Sequence, residues 1–125
     1  MKFTRIGAAV AALMLLACAH AETRTLRGWL SDEACARSRA NSGVFANTNP
    51  ECARKCVAEG KKIVLIDPEH KAVLDIDNQD AAREQVGNLV EVSATPDASG
   101  KTLHLSSDKF LEAGVVACDR PKPKK

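Results

Sequence analysis

Tyrosine is absent from this 125-residue chain, and aromatic side chains of any kind are scarce: one Trp and three Phe. Proteins that hold single-stranded nucleic acid stack bases on aromatic side chains along a basic groove. Beyond the N-terminal segment only Trp29, Phe45 and Phe110 are present for that purpose, so no nucleic-acid partner is expected. Histidine is nearly as rare. After His20 there are only His70 and His104, each remote in sequence from any cysteine, and both are read as solvated surface residues. No Gly-rich phosphate loop, Gly-x-Ser-x-Gly elbow, His-Glu-x-x-His or Cys-x-x-Cys occurs. Those absences remove the usual signatures of nucleotide, serine-hydrolase, zinc-protease and thioredoxin-like chemistry. Repeats and long low-complexity segments are also missing. No catalytic residue and no cofactor is assigned, and the chain is read as a non-enzyme.

The longest apolar run, Ile6 to Ala17, is shorter than the ~20 residues a membrane-spanning helix needs. It follows Lys2 and Arg5 and precedes Ala19-His20-Ala21. A basic start, an apolar middle and a small-x-small end form a signal peptide, residues 1–21, with cleavage before Glu22. This predicts a periplasmic or secreted bacterial protein. A second route is open: Leu15-Leu16-Ala17-Cys18 resembles a lipobox, which would anchor the protein in the cell envelope through a lipidated Cys18. Leu16 fits that motif poorly, so simple secretion leads. A membrane partner is expected only if Cys18 carries lipid.

Either route removes Cys18 from the folding problem. Of five cysteines, Cys35, Cys52, Cys56 and Cys118 remain, an even number in an exported chain. Two disulfides in an oxidising compartment are the direct expectation.

Charge also changes with processing. The full chain has 18 basic and 16 acidic residues, but residues 22–119 carry 12 against 16, a net of −4. Such a mildly acidic body is a poor phosphate-tracking surface. Four of the bases lie in the proline-broken segment 120–125, read as a disordered, solvated tail. Residues 22–119 are left as one domain, expected to be a monomer with no partner identified.

In chain order, Glu22 to Leu30 alternates as a strand, with Leu26, Gly28 and Leu30 on one side and Trp29 on the other. Trp29 is read as packed, because a large ring gains most from burial. Ser31 caps a helix of one or two turns that Asp32 and Glu33 suit at its positive end. Residues 37–49 are the candidate mobile flap. A second helix is well marked: Asn49 as N-cap, Pro50 at the first position, and Gly60 at the left-handed stop. Thr48 and Glu51 also fit a capping box. The run Ile63-Val-Leu-Ile66 suits a strand covered on both faces. Lys71 to Ile76 returns as a strand with Ala72, Leu74 and Ile76 inward. Asp77 or Asn78 then caps a short helix, Gln79 to Val86, that Gly87 ends. Asn88 to Thr95 and Lys101 to Ser106 form a hairpin with Val90, Val92, Leu103 and Leu105 inward and His104 outward. Ser107 to Ala113 is read as a closing helical turn.

Five short strands, with a helical excursion after strand 1 and a short helix between strands 3 and 4, give the order of a small OB-like barrel, mainly β in an α+β frame. A small α+β roll has a similar order.

The cysteines form the strongest constellation. Cys52 and Cys56 lie one turn apart on a single helix, and intact helix geometry keeps them from bonding each other. Each therefore needs a different partner. Cys35–Cys56 with Cys52–Cys118 is the leading pairing, since Cys56 lies on the more apolar face; Cys35–Cys52 with Cys56–Cys118 stays open. Closing a loop of about 20 residues near Cys35 is worth roughly 3 kcal/mol in the chain-entropy model. The alternative is a metal site of Cys35, Cys52 and Cys56 with a fourth ligand. Asp75, Asp77 and Asp80 cluster near a strand end, but their run lacks the glycine and terminal Glu of an EF-hand loop, and capping accounts for two of them.

Gly28-Trp29-Leu30-Ser31-Asp32…Cys35, then Glu51-Cys52-Ala-Arg-Lys-Cys56-Val57-x-x-Gly60-x-Lys62-x-Val64-Leu65, then Gln79 and Gly87-x-x-Val90-x-Val92, resembles a family of small exported bacterial domains of unknown function with an OB-like barrel pattern. The resemblance covers about residues 25–107. It implies export and one barrel-like domain, and it brings no catalytic residues. Members of that family often carry a histidine shortly after the first cysteine; here the stretch is Cys35-Ala-Arg-Ser-Arg39, which weakens a Cys/His metal site. Cys118 lies outside the shared region. The function expected is therefore an exported, disulfide-stabilised binding or structural module of unknown ligand.

Overall fold

A computed structural model describes residues 22–115. The expected signal peptide (residues 1–21, with Cys18), Cys118 and the basic 120–125 segment lie outside the described residues. None of the described helices is long and apolar enough to cross a membrane.

Five strands close into a barrel in the order β1-β2-β3-β5-β4. They are β1 (Arg24–Asp32), β2 (Ile63–Asp67), β3 (Ala72–Ile76), β4 (Asn88–Pro96) and β5 (Thr102–Ala113). Helices α1 (Glu33–Asn41) and α2 (Pro50–Ala58) separate β1 from β2; α3 (Gln79–Ala82), extended by a 3₁₀ turn over Arg83–Gln85, separates β3 from β4. This is the small OB-like barrel expected from the element order. All neighbours are antiparallel except β3 and β5, which meet in parallel through only Asp75↔Thr102 and Ile76↔Leu103.

Alternation along the strands builds two apolar clusters. Leu30, Ile63, Leu65, Ile76, Val90, Val92, Leu103 and Leu105 fill the interior, joined by Ala53 and Val57 of α2 and by Ala82 and Val86. The opposite faces of β1 and β2 put Trp29, Val64 and Ile66 in a second cluster with Ala36 of α1 and Phe45. β2 is thus covered on both sides, as its unbroken apolar run requires, and Trp29 is packed.

Gly28 is set by closure of the barrel. A Cβ there would meet the Ile66 carbonyl at 2.5 Å and Leu65 side-chain carbons at 2.7 Å, so β1 and β2 approach only over a hydrogen. Gly87 combines a φ of +96° with a Pro50 Cβ that an added methyl would meet at 2.6 Å. Its N–H donates to Leu30 O at 2.7 Å. The start of α2 is seated on this glycine.

Several local expectations change. Ser31 does not cap α1; it continues β1, buried, with its hydroxyl 2.7 Å from that of Thr48. Asp32 is the cap instead. Thr48, spent on Ser31, forms no capping box, while Asn49 accepts from the N–H groups of Glu51 and Cys52. Asn78 makes no helix cap; its side-chain amide clamps both backbone groups of Leu105 on β5 at 2.8 and 2.9 Å. Ser107 to Ala113 is strand, because β4 is long enough to pair with it as far as Asn88↔Ala113. Within 37–49 the helix continues to Asn41, and the loop beyond it is held by Arg39, which donates to Asn47 O and Ala46 O, and by Asn47, which bonds Val115.

Candidate thiol–carboxylate site

β1 ends where two helices meet, and that corner gathers the chemistry. Asp32 pairs with Ile63 at the last register position of β1 and is 0% exposed. Its φ and ψ of −81° and 150° are extended, so its side chain can turn back over the first turn of α1. Oδ2 accepts the Cys35 N–H at 2.9 Å. Oδ1 is buried with no hydrogen-bond partner among the described residues. An unsatisfied buried polar atom ordinarily costs about 1–3 kcal/mol, and more for a charged group.

Two thiols stand beside this carboxylate. Cys35 comes from the first turn of α1 and Cys56 from the last turn of α2. An Asp32 carboxylate oxygen and both sulfurs all lie within 4.8 Å of one another. The corner is rigidly built. The Ser31–Thr48 bond ties β1 to the approach of α2, and Arg54 Nε donates to Val86 O at 3.1 Å on the far side of the helix. Burial pushes the Cys35 thiol up to about 11, reinforced by the adjacent Asp32 carboxylate, then by Cys56 and Cys52. At neutral pH this sulfur holds its proton, the reverse of an activated nucleophile.

Among the described residues no disulfide is formed: Cys35, Cys52 and Cys56 are free thiols. A sulfur–sulfur bond is about 2.05 Å long, so Cys35 and Cys56 are brought together but not joined. Cys52 is exposed on α2 and stands outside the group, and its proposed partner Cys118 lies beyond the described residues. The metal triad of Cys35, Cys52 and Cys56 is likewise not assembled: two members converge, and Asp32 takes the third place. Asp32 was legible only as a residue suited to the helix dipole. The signal for its second role is its spacing, three residues before a cysteine at a helix start.

The other candidates are not brought together. Asp75 pairs with Arg37 at 2.8 Å, Asp77 with His104 at 2.8 Å, and Asp80 with Arg83 at 3.2 Å. Each carboxylate has its own basic partner, and no calcium-type cluster forms among them. Neither histidine is merely solvated. His70 Nδ1 lies 2.6 Å from Asp67 Oδ2, and that hydrogen bond and charge raise the His70 pKa above 6.5. A cavity of about 510 Å³ lies beside β3, lined by Glu33, Arg37, Lys62, Asp75, Asp77 and Gln79 among others. Its mixed charges select no single ligand class. No protein-family model, curated protein or solved structure matches the chain.

Proposed function

We propose that this is an exported, non-catalytic binding module whose working centre is the Asp32–Cys35–Cys56 corner, open as two thiols and closable as one disulfide. The observation that carries this reading is the convergence of Cys35 and Cys56. They come from separate helices, 21 positions apart in sequence, to within 4.8 Å beside a buried carboxylate. Export is supported by the N-terminal signal pattern and the cysteine parity. The non-catalytic reading is supported by the lack of the motifs of nucleotide, serine-hydrolase, zinc-protease and thioredoxin-like chemistry in the sequence.

Closure is a two-electron exchange. Both thiols give up a proton and an electron to a small-molecule disulfide, which is reduced to two thiols, and the Cys35–Cys56 bond forms. The test is oxidation of the reduced full chain with oxidised glutathione, followed by alkylation and peptide mapping by mass. A Cys35–Cys56 cross-linked peptide, two hydrogens lighter, is expected, with a higher melting temperature. If both residues stay alkylatable under oxidant, the reading fails.

A further inference from the structure

The geometry points to a divalent metal site in the reduced protein, formed by the Asp32 carboxylate and the Cys35 and Cys56 thiolates, with zinc as the ion it fits. The inference rests on the reading that this corner is the working centre and names what it binds when open.

Four observations converge on it. First, the three donor atoms lie within 4.8 Å of one another. Two sulfurs bound to a tetrahedral zinc at about 2.3 Å each stand about 3.8 Å apart. A spacing within 4.8 Å is compatible with one shared ion. Second, Asp32 is wholly buried and has one oxygen with no partner. Buried carboxylates are normally paired or coordinate metals, and no Lys, Arg or His forms an ion pair with this one among the described residues. Third, the other Asp32 oxygen accepts the Cys35 N–H. That bond fixes the orientation of the carboxylate, as outer hydrogen bonds do for metal ligands generally. Fourth, the donor set is mixed. Two thiolates are too soft for calcium or magnesium, and a carboxylate is too hard for a copper(I) site, which leaves zinc as the best match.

Charge balances. Two protons leave the thiols as zinc binds, and a dication meets three negative ligands, leaving the complex at −1. Three protein ligands leave a fourth position open to water or to an incoming group. Oxidation to the Cys35–Cys56 disulfide removes both sulfur donors, so the two states of the corner exclude each other.

The test uses the full chain with Cys18→Ser and Cys118→Ser, kept reduced with a phosphine. Cobalt(II) should give thiolate-to-cobalt charge transfer with intense tetrahedral d–d bands, and one equivalent of zinc should bleach them. Asp32→Asn keeps a side-chain oxygen able to cap α1 and should bind zinc at least about tenfold more weakly. Cys52→Ser should bind as the parent does. X-ray absorption of the zinc-loaded parent, which depends on no variant, should show two sulfur ligands completed by oxygen. Failure to bind cobalt or zinc would overturn the site, as would three or more sulfur ligands. So would unchanged affinity in Asp32→Asn, which together with loss in Cys52→Ser would restore the all-cysteine triad. The two ideas fail separately: a protein that forms the Cys35–Cys56 bond but binds no metal keeps the clasp and loses the ion.

Discussion

Two buried aspartates end adjacent strands of this barrel, and they are finished differently. Asp67 closes β2 and is 3% exposed; Asp32 closes β1 and is 0% exposed. Each accepts a backbone N–H from the turn or helix that follows. Asp67 does so twice through Oδ1, from Glu69 and His70 at 3.0 Å, and its Oδ2 meets the His70 ring at 2.6 Å. Asp32 accepts once through Oδ2 and leaves Oδ1 bare. The same residue at the same kind of place is in one case a completed structural joint. In the other it is incomplete, beside two thiols. Stability alone explains the first. The second has the form of a position held for something else.

Replacement at each site gives the sharpest contrast. Asp67→Ala removes three hydrogen bonds, two of them holding the turn after β2, and should cost roughly 2–3 kcal/mol. Asp32→Asn in the metal-free, reduced protein keeps the cap and should cost under about 1 kcal/mol. Denaturant titration of both variants measures the gap. Equal costs would mean that Asp32 is as fully employed as Asp67. A smaller effect tests whether the corner around Asp32 is otherwise complete. Thr48→Val strands the buried Ser31 hydroxyl and should cost about 1 kcal/mol; a neutral result would show that the Ser31–Thr48 bond does not hold α2 in place.

The smallest effect is a pH dependence at Asp67. Its carboxylate raises His70 above 6.5, so the proton is held more tightly in the folded chain than in the unfolded one. The stabilisation is complete below about 6.5 and is lost as pH rises through the raised folded value. Because the His70 ring is exposed, the contribution is small. The melting-temperature difference between the parent and His70→Gln should shrink as pH climbs. A difference that holds constant or widens would refute the linkage.

The barrel could be read from local chemistry because its strands alternate cleanly. Leu74 and Ile76, Val90 and Val92, and Leu103 and Leu105 each place their apolar residues on one face, and β2 is apolar on both. The cap and stop of α2 were equally plain, since Asn49, Pro50 and Gly60 act within a few residues of themselves. What could not be read depends on partners distant in the chain. Ser31 looks like a helix cap until Thr48 is seen to claim its hydroxyl. Asn78 looks like another until β5 offers it Leu105. Gln79 was simply a helix residue, yet its side chain bonds both backbone groups of Ile63 and the carbonyl of Ile76. The site shows the same divide. Cys35 and Cys56 were expected as partners from parity and helix face, whereas the burial of Asp32, and its bare oxygen, emerge only when α2 is laid across the end of β1.

β4 and β5 share nine paired positions, whereas β3 and β5 share two. Reinforcement at the shorter join is local: Asp75 N–H to Lys101 O and Asp77 N–H to Leu103 O, both at 2.9 Å, and the Asn78 clamp on Leu105. The cylinder therefore has a zip rather than a uniform wall. Few backbone bonds hold that join, so it is the seam expected to open at the least cost, while the six paired positions of β1 and β4 keep β4 in the wall.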